Sequence, residues 1–467
     1  MTISNARDGS KDTTPDAHNV PVATTERPPG PSGVDALTLW IRIARDLFAP
    51  WRELATKYGD VVNIPLPFPG LTVTLVSHPD HVEHIMTRHH DRYTKVAMAR
   101  ELVAGEPPAL PLLEGDEWRR VRRAFNPHFG EAALANVSDQ MIAAVTEQVD
   151  AWRTYADDHR MVNLEHEFGR VVMAGLLRAM FHQNPDTDTL DRWVSATLEY
   201  GQYVVARMAT HPLPEWIPRP RSRTGKAAQG FLLRQLDAMI AQRLANPRDG
   251  DQDLLDVALS MPFDGTPQHQ YGRMRSELLG LVFAGHDTTA EALTWTIALL
   301  CRNPEALANA YAEVDALDGV PLEYAHVAQL PYLRACFDEA QRIQAAPMNW
   351  RTTQADDVIG GYFIPKGSHV VISPYALHRD RRFWRDPETF QPSRFLTDKI
   401  DKNAFIPFNT GPRKCMGSRM AYIQGIITLA TVLQRYRFRI KEGWTPKHEL
   451  HVSIGLAGGL PMRVYTR

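Results

Sequence analysis

A mainly α-helical chain with a smaller β region is predicted by three observations. From Asp116 to about residue 300 most segments repeat apolar residues every three to four positions, the period of an amphipathic helix. Leu278 to Leu300 is apolar on nearly every face, as a helix in the centre of a large protein would be. After Arg342 the pattern changes to short alternating runs broken by Gly and Pro.

The elements follow in order. Met1 to about Arg27 is polar and lacks an apolar run, so it reads as a disordered tail rather than a signal peptide or membrane anchor. Pro28-Pro29-Gly30-Pro31 marks where order begins, which sets the expected division at a tail of 1–30 and a single domain of 31–467. Trp51 to Tyr58 predicts a helix stopped by Gly59, and Val61–Ile64 with Leu71–Val76 a hairpin. Pro79 to Thr87 predicts a helix. Breaks fall at Asn126-Pro127, Asn184-Pro185 and Pro212 to Pro220. Late strands are expected at Val358–Ile364, His369–Ile372, Arg437–Ile440 and Pro461–Val464.

Composition narrows the function. A net charge of -2 over 467 residues gives no global attraction to nucleic acid or anionic membrane. The three cysteines, Cys301, Cys336 and Cys415, form neither a disulfide framework nor a zinc pattern. Such usage fits a reducing cytoplasm.

The richest run is Phe408-Asn-Thr-Gly411-Pro-Arg413-Lys-Cys415-Met-Gly417. Met420, Ile423, Ile427 and Ala430 predict a helix just after it. A helix N-terminus and nearby cations favour a thiolate, the form that ligates metals. Gly411 and Gly417 permit close backbone approach to a flat group. The alternative is a structural cysteine in a turn. The central run reads Ala284-Gly285-His286-Asp287-Thr288-Thr289. A buried Asp and Thr need partners or a role. Thr288 could back-bond a carbonyl one turn earlier, and Asp287 could pair with a distant Arg.

Phe-x-x-Gly-x-Arg-x-Cys-x-Gly and Ala-Gly-x-Asp-Thr-Thr, in this order, resemble the haem loop and central-helix signature of cytochromes P-450. The resemblance implies the P-450 fold, with haem b (iron protoporphyrin IX) between the central and the post-cysteine helix. Cys415 would be the iron ligand. Thr288 would be the alcohol at the oxygen site and Asp287 the acid that gates proton delivery, with the helix opened near Gly285 to make a groove for dioxygen. Trp118 and Arg122, four apart in a Trp-x-x-x-Arg, together with Arg351 and Arg413, would hold the haem propionates. Phe408, Gly417 and Gly285 would border the haem. Glu339-x-x-Arg342 with Arg394 would lock the fold. Arg119, Arg120 and Arg123 read as a solvated basic face, or as a landing for an acidic electron donor.

The implied activity is NAD(P)H- and O2-dependent hydroxylation of a hydrophobic small molecule, with electrons from a ferredoxin or flavodoxin-type donor and its reductase. Aryl coupling, desaturation and peroxide-driven oxidation are alternatives on the same fold, and a haem sensor is a rival from another class. The missing anchor suggests a soluble, bacterial-type member. Arg413 departs from the His that many such members carry there, which leaves the donor class open. Substrate contacts are expected from Ala345 to Asn349, Leu281 to Ala284 and Gly455 to Gly458, with Val204 to Pro220 as the entrance.

Overall fold

A computed structural model describes residues 24–46, 48–66, 72–95, 106–210, 216–248, 250, 252–346, 348–450 and 453–467. Most of the polar tail, Leu71 of the hairpin, Pro347 and part of the expected entrance lie outside the described residues. Within the expected tail, the Glu26 and Pro29 carbonyls accept bonds from Phe363 N at 2.7 Å and Asn63 N at 2.8 Å, so this stretch is tied to a hairpin and to the larger sheet.

The predicted class holds: helices dominate, and the short strands form four small sheets. The axis of the molecule is the helix Pro267–Arg302, 36 residues and therefore about 54 Å long. It begins eleven residues before the apolar run. Thr266 caps it by accepting from His269 N, and Pro267 occupies its first turn, where a missing N–H costs nothing. The helix Leu164–Phe181 packs beside it. A Cβ on Gly285 would meet Leu176 at 3.2 Å, and the His286 ring bonds the Gly169 carbonyl at 3.1 Å. The helix after the cysteine, Ser418–Arg435, closes the other side, with Gln424 bonded to the Val172 carbonyl at 3.0 Å. Trp295, Phe337, Leu429 and Leu433 lie in the core these helices share. No helix among the described residues is long and apolar enough to cross a membrane.

The main sheet runs in the order Val61–Pro65, Thr72–Val76, His369–Ile372, Asn349–Thr353, Tyr93–Thr94. The predicted hairpin forms with Val61 opposite Val76. Thr72–Val76 then pairs in parallel with His369–Ile372, joining an early segment of the chain to a late one. The strand Asn349–Thr353 had no sequence signal, since Asn-Trp-Arg-Thr-Thr does not alternate. It matters because it carries Arg351.

The segment predicted as one helix, Pro79 to Thr87, is an α-turn pair followed by a wider π-turn at His84–Arg88. Periodicity could not reveal this, because the turn packs against a loop more than 300 residues away: Gly411 stands so close that a Cβ would lie 1.9 Å from the Met86 carbonyl oxygen.

Candidate active site

The cysteine loop is built by its backbone. Cys415 N donates to the Phe408 carbonyl at 2.8 Å, and Asn409 and Gly411 take positive φ values of 63° and 71°. Gly411 is thus required by its dihedral and by the Met86 backbone; the tight neighbour is protein, not the flat group expected from sequence. Gly417 caps the following helix, and a Cβ there would meet nothing nearer than Phe129 at 3.8 Å. Protein packing does not demand glycine at that point, which opens onto a cavity.

That cavity, of about 440 Å³, is where the predicted residues converge. Trp118, Arg122, Gly285, Thr288, Phe408, Arg413, Cys415 and Gly417 all line it. Another hollow, of about 430 Å³, is lined by Arg27, Asn63 and Lys366 and contains neither thiol nor acid. Cys415 lies deep in the molecule, yet its surface is open because it faces the cavity. The backbone amides of Gly417 and Ser418 point at its sulfur. Burial pushes the thiol up and prevails over these amides and the Arg122 and Lys414 cations, all of which pull it down. The groups expected to favour the anion are present, then, but outweighed. Metal coordination deprotonates a thiol outright, so the surroundings need only support the anion.

On the opposite wall the central helix shows Ala284 and Thr288 to the cavity and keeps Asp287 behind it, 3 % exposed. The Thr288 hydroxyl donates to the Ala284 carbonyl at 2.8 Å, the back-bond that the sequence left open. The helix is continuous through Gly285, so the expected opening there is not formed; a Cβ at that position would meet Leu176 at 3.2 Å. The Asp287 carboxylate is anchored from the late part of the chain: its Oδ2 accepts from Ser453 N at 2.9 Å.

Lys95 and Arg413 give the cavity a cationic side, and Arg351, expected there from the sequence, lies near them without lining it. Lys95, Arg351 and Arg413 act on one another, with Glu114 as the nearby carboxylate. Burial and the two arginines hold Lys95 down at about 7. Burial and Arg413 bring Arg351 to about 10. Arg351 Nη2 is buried with no hydrogen-bond partner among the described residues. Arg413 is better satisfied: it donates to the Leu113 carbonyl at 2.7 Å, pairs with Glu114 and stacks 4.2 Å from the Trp118 ring centroid. Arg122 donates to the Lys414 carbonyl at 2.8 Å, which turns it toward the cysteine loop.

The Cytochrome P450 family model matches residues 28–459. The chain belongs to the cytochrome P450 family. It is 31 % identical over 419 residues to cyclooctatin synthase of Streptomyces melanosporofaciens, covering 85 % of this chain and 87 % of that one. It is 28 % identical over 451 residues to the chloroplastic carotene epsilon-monooxygenase of Arabidopsis thaliana, covering 90 % and 82 %. A crystal structure of a cytochrome P450, CYP102L1, superposes with a TM-score of 0.80 at 23 % identity, over 95 % of this chain and 100 % of that one, a likeness of fold.

A cytochrome P450 is a haem-thiolate monooxygenase, so this chain takes haem b, and its residues fit that group. Three cations face one carboxylate, an imbalance that two propionates would neutralise. One buried guanidinium nitrogen awaits an acceptor. Among the described residues no group of three or more His, Cys, Asp or Glu could hold a metal ion. Lys95 was missed by sequence reasoning. A lone lysine after a two-residue strand carries no signal; only the fold sets it beside Arg351. Ser453 was missed for the same reason.

The scaffold motif of this P450 comes together around Glu339, with one buried Arg394 nitrogen, Nη2, left without a hydrogen-bond partner among the described residues. Glu339 accepts from Arg342 Nε at 2.7 Å, Arg342 Nη2 at 2.9 Å, Arg394 Nε at 3.1 Å and Gln391 N at 2.9 Å. Arg342 spends its remaining donors on the His378, Pro387 and Thr389 carbonyls. Of the expected substrate stretches, Ala345, Ala346, Met348, Asn349, Leu281 and Ala284 line the cavity. Gly455 to Gly458 do not; Ser453 takes that place. None of the described residues between Val204 and Pro220 lines it. Arg119, Arg120 and Arg123 are exposed, the first two beside Asp116 and Asp264, in keeping with a solvated face.

Proposed function

We propose that this P450 inserts an oxygen atom from O2 into a hydrophobic small molecule, using electrons from a separate ferredoxin or flavodoxin-type donor. Haem, when bound, supplies the oxygen activation. The protein supplies the thiolate of Cys415, an indole N–H from Trp118 and cations from Arg122, Arg351, Arg413 and Lys95 for the propionates, and an apolar chamber. Phe408, Gly417 and Gly285 border the haem. Thr288 presents its hydroxyl to the chamber, and Asp287 stands behind it as the acid that feeds it protons. One domain, 31–467, carries all of these parts.

The observation that carries this reading is a single cavity with Cys415 on one wall and Thr288 on the other. The small apolar lining from Leu281, Ala284, Ala345, Ala346 and Met348 supports a greasy substrate. The carotene in one relative's name makes isoprenoids the first class to screen. Exposed Arg123 and Lys414 support docking of an acidic donor on the cysteine side.

The test is a pair of variants. Cys415→Ala should lose the reduced carbon-monoxide band of a thiolate-ligated haem. Thr288→Ala should keep that band while consuming NAD(P)H without matching product. Full coupling in Thr288→Ala would refute the acid–alcohol assignment.

A further inference from the structure

Asp287 has a supply problem. Monooxygenation consumes protons to make water, yet Asp287 is 3 % exposed and cannot refill itself from bulk solvent. Glu291 stands one turn further along the same helix, 1 % exposed. Residues four apart share a helix face, so the two carboxyls are neighbours behind the cavity-facing Thr288. Glu291 has no part in the roles assigned so far.

Its partner lies on the adjacent helix. The Glu291 carboxyl is hydrogen-bonded to that of Glu165, in the first turn of Leu164–Phe181. Carboxylates only accept, so two carboxyls in a hydrogen bond hold a proton between them. Glu165 is half-buried, and the pair therefore leads from the interior toward solvent. The charged groups acting on Glu291 are Asp287 on its own helix, Glu165 on the neighbouring one and Glu449 on the strand His448–Leu450. Burial and the Asp287 charge push Glu291 up to about 8, so it carries its proton at neutral pH.

We infer that Glu165 and Glu291 form a relay that reprotonates Asp287 during turnover. The O–H proton of Glu291 passes to the Asp287 carboxylate, which hands it on toward the Thr288 hydroxyl, and Glu165 returns one to Glu291 from solvent. Only protons move; each carboxyl ends as it began. Glu291 acts through Asp287 and is a positioning and supply residue, not a group that meets substrate. The inference rests on the roles proposed for Thr288 and Asp287.

Glu291→Gln and Glu165→Gln test it in the holoenzyme. Infrared difference spectra without turnover should show a protonated-carboxyl C=O band that fades as pH rises through about 8, absent in Glu291→Gln and shifted in Glu165→Gln. In turnover, Glu291→Gln should keep the carbon-monoxide band and substrate affinity, yet lose about tenfold in product per NAD(P)H. Its coupling should no longer change with pH above neutrality, as wild type does. A merely structural pair would also lose the band with the Glu291 carboxyl but would leave the coupling profile unmoved. Should Glu291→Gln fail to fold, Glu165→Gln at its half-exposed position decides alone, with an expected loss of about threefold. Wild-type coupling in both variants, or a surviving band in Glu291→Gln, overturns the relay. If Thr288→Ala uncouples and these variants do not, the relay alone fails; if Thr288→Ala stays coupled, the acid–alcohol reading fails first.

Discussion

Glu339→Gln should cost this protein a large part of its stability while leaving its chemistry intact. The carboxylate sits at 0 % exposure between Arg342, also 0 %, and Arg394, at 2 %. Glutamine keeps the shape but only one acceptor oxygen. Its amide would turn donors toward a guanidinium that itself only donates. Two buried cations would lose their counter-charge. Breaking a buried pair from one side costs about 3–5 kcal/mol, because the remaining charge stays desolvated. Against a typical total of about 5–15 kcal/mol, that is a third or more of the margin. Urea unfolding followed by tryptophan fluorescence gives the loss directly, and the carbon-monoxide band reports whether the thiolate loop survives. Product per NAD(P)H in the folded fraction should match wild type. A loss below about 1 kcal/mol would show that the lock is not the keystone its geometry implies, and altered coupling would give it a catalytic part.

Gly411→Ala should loosen the cysteine loop. A left-handed φ costs an L-residue about 1–2 kcal/mol, and the Met86 carbonyl 1.9 Å from the new Cβ adds an overpacking cost of about 1–3 kcal/mol. Faster haem loss to an apomyoglobin trap is the expected readout; an unchanged rate would mean the loop does not depend on this contact. The pH dependence of stability should be shallow between about pH 5 and 6. Burial depresses His286 to about 4, His378 to about 3 and His448 to about 4, so their stabilisation is lost as pH falls. Burial raises Glu277 to about 7, Glu291 to about 8 and Asp338 to about 6, so theirs is present at low pH and lost as pH rises. The two sets oppose each other. Glu291→Gln removes one carboxyl from the balance and should steepen acid destabilisation by about 1.4 kcal/mol per pH unit. A slope equal to wild type would refute the raised carboxyl.

Chemistry that lies in one stretch of chain was legible in the sequence. The Cys415 loop and the Asp287-Thr288 pair each occupy a short window, and Cys415 and Thr288 reach the same cavity. The Glu339 lock was legible through its helical spacing, although Arg394 entered only by family likeness. Features made by distant segments were not. Lys95 gains meaning from Arg351 and Arg413, the π-turn at His84 from Gly411, and the Asp287 anchor from Ser453. The continuous turn at Gly285 shows the converse: family likeness suggested an opening that the helix does not form.

The walls of the chamber come from Lys95 at one extreme and Ser453 at the other, and the sheet beneath joins Thr72–Val76 to His369–Ile372. Pairings of such sequence separation are slow to form, since a long loop must close before any contact rewards it. On a ribosome, the cofactor's chamber cannot assemble until nearly the whole polypeptide has emerged. Prosthetic-group capture is therefore a late event in biogenesis, and nascent chains stalled short of the cysteine loop should retain no pigment.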